Sequence, residues 1–310
     1  MNKMIKAFGI NYSVPQVHLL HATPLFVSEF GARTCYDSFD KSESKSIQQL
    51  NTVLNIGDDI DMSKHSAIQN AETEVNQNGS ELLHQLAHVF FHESVLEHVS
   101  FNFLIKNTSR GVLQELARHR IASYSVQSTR YTMSDLINWF NVCKELRMGE
   151  EFFIEQIDAL DIFVTDDRAY NAIEISGMWS KLDYQYNLLG KDRFYELSIA
   201  KSLVEDFKNV VDTEEGMKLL SSKAKKNVGD FIKHIITDNV SVDLAFTINL
   251  RSLKNFLDLR LSGAAYWQIQ LLAHSVYKQI PENYLTLVVK DAKRAQFEKL
   301  NEKIESGEWV

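Results

Sequence analysis

The chain has 310 residues, 45% hydrophobic and 24% charged, with a formal net charge of -8. That balance suits a soluble globular protein with a substantial core. The negative charge argues against sequence-independent binding to DNA or RNA, which needs an extended basic surface, but leaves room for a small basic pocket that takes a nucleotide.

Two cysteines, Cys35 and Cys143, lie far apart with no CxxC pair, which fits a reducing compartment without a disulfide framework. The first residues lack a signal-peptide apolar core and no run reaches membrane-span length, so a cytoplasmic location is expected. Three prolines and 12 glycines predict long helices with few tight turns. Residues 16–20 predict a short strand. Thr23 is placed to cap a helix with Pro24 at its first position, running through Phe26, Val27 and Phe30 towards Cys35. Residues 55–79 are polar and aromatic-free, contain Asp58, Asp59 and Asp61, and predict a surface excursion.

Ser80 then caps a helix extending to about His92, with His84, His88 and His92 on one face. Histidines at this spacing can bind zinc. The adjoining HESVLEH is not HExxH, because Leu96 stands where the second histidine belongs, so packing or a cofactor contact is favoured over a metal. Residues 98–106 alternate, with Val99, Phe101, Phe103 and Ile105 on one side, and predict a strand. A turn over 107–110 and a helix over 111–120 follow, then extended chain.

Residues 134–230 show apolar spacing of three and four almost throughout and predict helices, with Trp139 and Trp179 in their core stripes. A strand is expected over 243–248. Asn249 begins a helix whose Leu253, Phe256 and Leu257 face inward; Arg260, eleven residues on, falls on the same face as Asn249. The tail from Pro281 reads as helical and charged, without visible chemistry. No repeat, low-complexity tract or linker appears. The expected fold is α+β: one helix-rich domain over 1–310 with an antiparallel sheet and a long helical middle section at about 134–230.

The chemistry concentrates in RHRIASYSVQSTRY, residues 118–131. It packs Arg118, His119, Arg120 and Arg130 around Ser123, Ser125 and Ser128. Guanidinium forks bind phosphate bidentately and hydroxyls take the remaining oxygens, so the stretch suits a polyanion. The plainer alternative is that basic residues ending a helix only complement its dipole and cap its last carbonyls.

Arg-His-Arg, seven residues, Ser128, then Arg130 and Tyr131 resembles the signature of flavin-dependent thymidylate synthases, the ThyX family. Asn249, Arg251, Asn255 and Arg260 reproduce that family's second signature, Asn-x-Arg-Ser-x-x-Asn-x-x-x-x-Arg. HxSxxEHxxFxF from His92 to Phe103, and GARTCYDSF from Gly31, resemble two further family elements. The resemblance implies a ThyX-like fold and reductive methylation of dUMP to dTMP. Methylenetetrahydrofolate would give the carbon, FAD reduced by NADPH would give the hydride, and no enzyme cysteine would attack the base.

Carried over by position, the resemblance places Arg118, His119, Arg120, Asn249, Arg251 and Asn255 at FAD, with His92 and Ser94 nearby. It places Glu115, Arg118, Ser128, Arg130 and Lys233 at the nucleotide, and makes Arg260 the arginine that polarises the uracil ring. It implies a homotetramer with sites built between subunits, and no metal. Val126, Ala264 and Gln268 depart from common family residues. Two alternatives stand: a relative that transfers a methyl or hydroxymethyl group to another pyrimidine nucleotide, and a nucleotide-binding homologue without turnover.

Overall fold

In the computed structural model, which describes residues 3–55, 62–78, 80–129, 133–198 and 233–309, the chain opens with a hairpin. Strands β1 (Met4–Ala7) and β2 (Ile10–Ser13) pair antiparallel. Phe8 and Gly9 link them at φ of 55° and 84°, the left-handed pair that suits a two-residue hairpin. Four-residue strands are too short to print a period, and no strand was expected there.

The site rests on a four-stranded antiparallel sheet assembled from β3 (Gln16–Ala22), β4 (Ser100–Ser109), β5 (Ala122–Val126) and β6 (Ser241–Asn249), in the order β3-β4-β6-β5. The expected α+β class and antiparallel sheet are borne out. Alternate residues Phe101, Phe103 and Ile105 of β4, and Leu244, Phe246 and Ile248 of β6, are buried. Full burial of such a side chain is worth about 1.5–3 kcal/mol, so this face holds the sheet against its helices.

Strand β4 continues to Ser109, through most of the turn expected over 107–110. Asn107 instead sits at φ 57° in a bulge between Ile105 and Thr108, held by its side chain to Ser13 and Ser241.

Helix α1 (Leu25–Tyr36) starts one residue later than predicted, with Pro24 rather than Thr23 at its N-cap position. The Thr23 hydroxyl accepts from the Ser100 backbone N–H and ties the helix start to β4. Helices α2 (Lys45–Asn55) and α3 (Met62–Asn78) follow. The surface excursion expected over 55–79 is thus mostly a helix. Its buried stripe, Ala67, Ala71 and Val75, is built of small residues that carry little hydrophobic signal.

Helix α4 (Glu81–His88) has the predicted Ser80 cap, with the hydroxyl accepting from Leu83 N. It stops at His88, and Phe91 takes φ 56°. His92 therefore leaves the face shared by His84 and His88 and precedes a 3-10 turn over Glu93–His98.

Helix α5 (Arg110–Leu116) joins β4 to β5. Beyond it lie α6 (Ser134–Leu146), α7 (Glu150–Asp158), α8 (Arg168–Leu189) and α9 (Lys191–Ser198). The expected helical middle is present as far as 198, except that Phe163 and Thr165 form β-bridges to Val240 and Tyr12; residues 199–230 lie outside the described residues. These helices bury their own cluster around Phe140, Phe153, Ile175, Met178 and Phe194.

The chain closes with α10 (Leu250–Arg260), α11 (Trp267–Tyr277), α12 (Glu282–Val288) and α13 (Asp291–Ser306). The charged tail also supplies Tyr284, Leu285, Val288 and Ile304 to the sheet's core. Among the described residues no helix is long and apolar enough to cross a membrane.

Candidate active site

Two chain reversals off neighbouring strands create the site. At the end of β4, Ser109 Oγ accepts from Val112 N and starts α5, which lasts barely two turns. The helix ends at Leu116, four residues before the predicted end, so Arg118, His119 and Arg120 lie beyond it in a turn. Tyr124 of β5 clamps that turn: its hydroxyl lies 2.9 Å from the Leu116 carbonyl and 2.6 Å from the His119 carbonyl, sharing one proton between them. Arg118 and Arg120 are exposed, while His119 is buried against Phe256 with ring centroids 5.0 Å apart.

At the end of β6, Asn249 Oδ1 accepts from Ser252 N at 2.8 Å and caps α10. Leu253, Phe256 and Leu257 face the core as expected, leaving Arg251 and Asn255 exposed one turn apart. Arg260 is the last residue of this helix and reaches back to α5. Its Nη1 donates to Glu115 Oε2 at 2.9 Å, its Nη2 to the Glu115 carbonyl at 3.2 Å, and its Nε to His119 Nε2 at 3.0 Å. Both sequence signatures therefore meet at one guanidinium.

An arginine Nε always carries its hydrogen. His119 Nε2 must then be a bare acceptor, which makes the imidazole neutral with its proton on Nδ1. Burial, reinforced by the Arg260 charge and partly opposed by Glu115, pulls the His119 pKa down to about 4. Arg118 Nη1 adds a longer contact to Glu115 Oε1 at 3.5 Å.

Around this knot lie two adjoining clefts of about 560 and 620 Å³ that share Arg118, His119, Asn255 and Asp258. The first also reaches Arg260 and Ala264; the second reaches Glu93, Glu97, Arg120, Arg251 and Lys254. Arg251 pairs with Glu97, and the buried Lys254 pairs with Glu93. Lys254, Glu93, Glu97 and Asp258 were not picked out from the sequence as site residues. Lys254 was visible inside the second signature, and Glu97 inside HxSxxEHxxFxF.

The structure thus gathers Glu115, Arg118, His119, Arg120, Arg251, Asn255 and Arg260. His92 lies apart, its Nδ1 2.7 Å from the Tyr36 hydroxyl, and Ser94 is exposed on the 3-10 turn. Ser128 follows the far end of β5, where Val126 pairs with Leu244. Neither Ser128 nor the exposed Lys233 lines the clefts. Arg130 lies outside the described residues. Gln268 accepts from Ser109 Oγ at 2.5 Å and from the Tyr266 hydroxyl at 2.9 Å, joining α11 to the start of α5.

The His84 and His88 rings are 4.7 Å apart, with His88 Nε2 2.7 Å from the Thr286 carbonyl. Among the described residues no group of three or more His, Cys, Asp or Glu could hold a metal ion. Burial raises the Cys143 thiol pKa to about 12, and neither cysteine is among the cleft residues.

The family model described as thymidylate synthase complementing protein, Thy1, matches residues 18–284. The flavin-dependent thymidylate synthase of Helicobacter pylori (strain ATCC 700392 / 26695) is 29% identical over 268 residues, covering 84% of this chain and 91% of the relative. That of Campylobacter jejuni (strain RM1221) is 28% identical over 269 residues, covering 87% and 93%. The crystal structure of Thymidylate Synthase X from Helicobacter pylori with FAD and dUMP is similar at a TM-score of 0.51 and 27% identity, covering 88% of this chain and 97% of that one.

Proposed function

The chain belongs to the Thy1 family of thymidylate synthase complementing proteins, and on that premise we propose that it is a flavin-dependent thymidylate synthase, converting dUMP to dTMP with methylenetetrahydrofolate and NADPH. The observation that carries this reading is the convergence of both signatures on Arg260, at the junction of two cation-lined clefts.

The donor set fits a flavin dinucleotide. Arg118, Arg120, Arg251 and Lys254 outnumber Glu93, Glu97 and Asp258 by one around the larger cleft, so it can take a phosphate-bearing ligand. Bound FAD supplies the hydride for reduction of the transferred carbon. The chain's own residues bind and orient. Arg251 and Asn255, side by side on α10, would hold the flavin, and Arg118, which lines both clefts, would contact flavin and nucleotide. Arg260 presents fixed N–H donors that stabilise negative charge developing on the uracil ring as C5 reacts. With Cys143 buried and Cys35 outside the cleft, no thiol is offered to the base.

Ser128, Arg130 and Lys233 take the nucleotide phosphate. The four steps from Ala122 to Val126 span about 13 Å, which carries Ser128 away from Arg118 on the same chain. That separation supports a homotetramer in which another copy completes each site. We place the enzyme in the cytoplasm and treat the chain as one catalytic domain, with the helical middle as an added layer.

The decisive experiment is FAD titration of the folded protein, followed by thymidylate formation from dUMP, methylenetetrahydrofolate and NADPH. Binding with turnover is expected. Folded protein that takes up no FAD refutes the assignment; dUMP left unmethylated while another pyrimidine nucleotide reacts moves it to the related transferase.

A further inference from the structure

We propose that His119 is a positioning residue for Arg260: it serves as a neutral hydrogen-bond acceptor that fixes the guanidinium plane. This deepens the proposed function and rests on it for its kinetic consequences, though its geometric core does not.

A guanidinium has five N–H bonds. Three are taken in this fold: Nε–H by His119 Nε2, one Nη1–H by the Glu115 carboxylate and one Nη2–H by the Glu115 carbonyl. Two remain for a ligand. Glu115 alone grips the outer edge of the fork and leaves the group free to rock about that edge. The third contact, on the opposite Nε side, removes that freedom, because acceptors now hold both edges of one plane.

His119 is built for this task. It is 7% exposed, its ring is set edge-on against Phe256, and Tyr124 anchors its backbone carbonyl. Its neighbours Arg118 and Arg120 are exposed, so the turn sends the two cations outward and the imidazole inward. A protonated imidazole would set N–H against N–H, and the charge beside it disfavours that form. A buried neutral acceptor therefore keeps the same arrangement throughout the working pH range.

The test compares His119→Gln with His119→Leu. The glutamine carbonyl can reach about where Nε2 stands, whereas leucine fills similar volume without an acceptor. Losing a hydrogen bond to a charged donor predicts a fall in kcat of about ten- to a hundredfold for His119→Leu, with flavin content and KM for dUMP changed less than about threefold. His119→Gln should retain kcat within about threefold of the parent. Equal activity of the two variants, high or low, overturns the proposal. So does loss of flavin from both, which would return His119 to the cofactor.

A second readout does not need turnover. Nitrogen NMR of the parent protein should show His119 with Nδ1 protonated and Nε2 bare from pH 6 to 8; a protonated Nε2 overturns the proposal. If the parent binds no FAD, the functional assignment fails while this spectrum still decides the histidine.

Discussion

Replacing Arg260 with alanine separates what the residue does for the fold from what it does for the chemistry. The side chain is 15% exposed and makes three hydrogen bonds, two of them to Glu115. A hydrogen bond to a charged group contributes about 1.5–3 kcal/mol when its partner is then left buried. Glu115 is 29% exposed and keeps its contact to Arg118, so water and that arginine recover part of the loss.

The expected cost is about 1–2 kcal/mol of stability, which lowers Tm by roughly 2–6 °C. The rate should suffer more. Removing a preorganised donor from developing negative charge typically costs on the order of 10²–10³. Arg260→Ala should therefore fold, bind FAD and accept electrons from NADPH, yet form thymidylate at least about a hundredfold more slowly. Arg260→Lys should regain most of the stability but little of the rate, since one ammonium cannot fork between Glu115 and His119. Thymidylate formation above about one-tenth of the parent rate in Arg260→Ala would refute the role, and loss of flavin would reassign the arginine to the cofactor.

Asn249 caps α10, so Asn249→Ala should lower stability by about 0.5–2 kcal/mol. Asn249→Asp, which keeps the capping oxygen, should be near neutral; denaturant melts check both, and equal loss in both variants would detach the effect from the cap. His274 is buried, stacked on Phe297 and bonded to Asn301, and burial lowers its pKa to about 4. Because the folded pKa lies below the unfolded value of about 6.5, the unfolded chain binds the extra proton between these limits. Stability is then full above about pH 6.5 and falls as pH drops towards 4, by up to about 3 kcal/mol. His274→Gln should flatten that acid limb in urea melts from pH 4 to 7, and an unchanged slope would exclude His274 as its source.

The sequence by itself determined the elements whose hydrophobic pattern is strong. The alternation of Phe101, Phe103 and Ile105 and the spacing of Leu253, Phe256 and Leu257 can be read directly, because burial on one face imposes the period of the strand or helix. It also supplied the spacing of both arginine signatures, since that spacing is local. Weakly patterned pieces were not legible. The alanine stripe of α3 looked polar, and the short hairpin at the start printed no period.

Only the tertiary structure decided what the motif residues do to one another. His119 and Arg260 are 141 positions apart, and nothing in either signature says that one accepts a hydrogen bond from the other. Nor does spacing tell that α5 stops at Leu116, or that Tyr124 turns His119 inward while Arg118 and Arg120 stay out. Those outcomes depend on the antiparallel pairing of β4, β5 and β6, which starts α5 and α10 at opposite ends of the sheet and so brings the end of α5 and its turn against α10. A charged residue's partner, and hence its protonation and its role, is set by neighbours distant in sequence, because the energies that fix them act through space within a few ångströms.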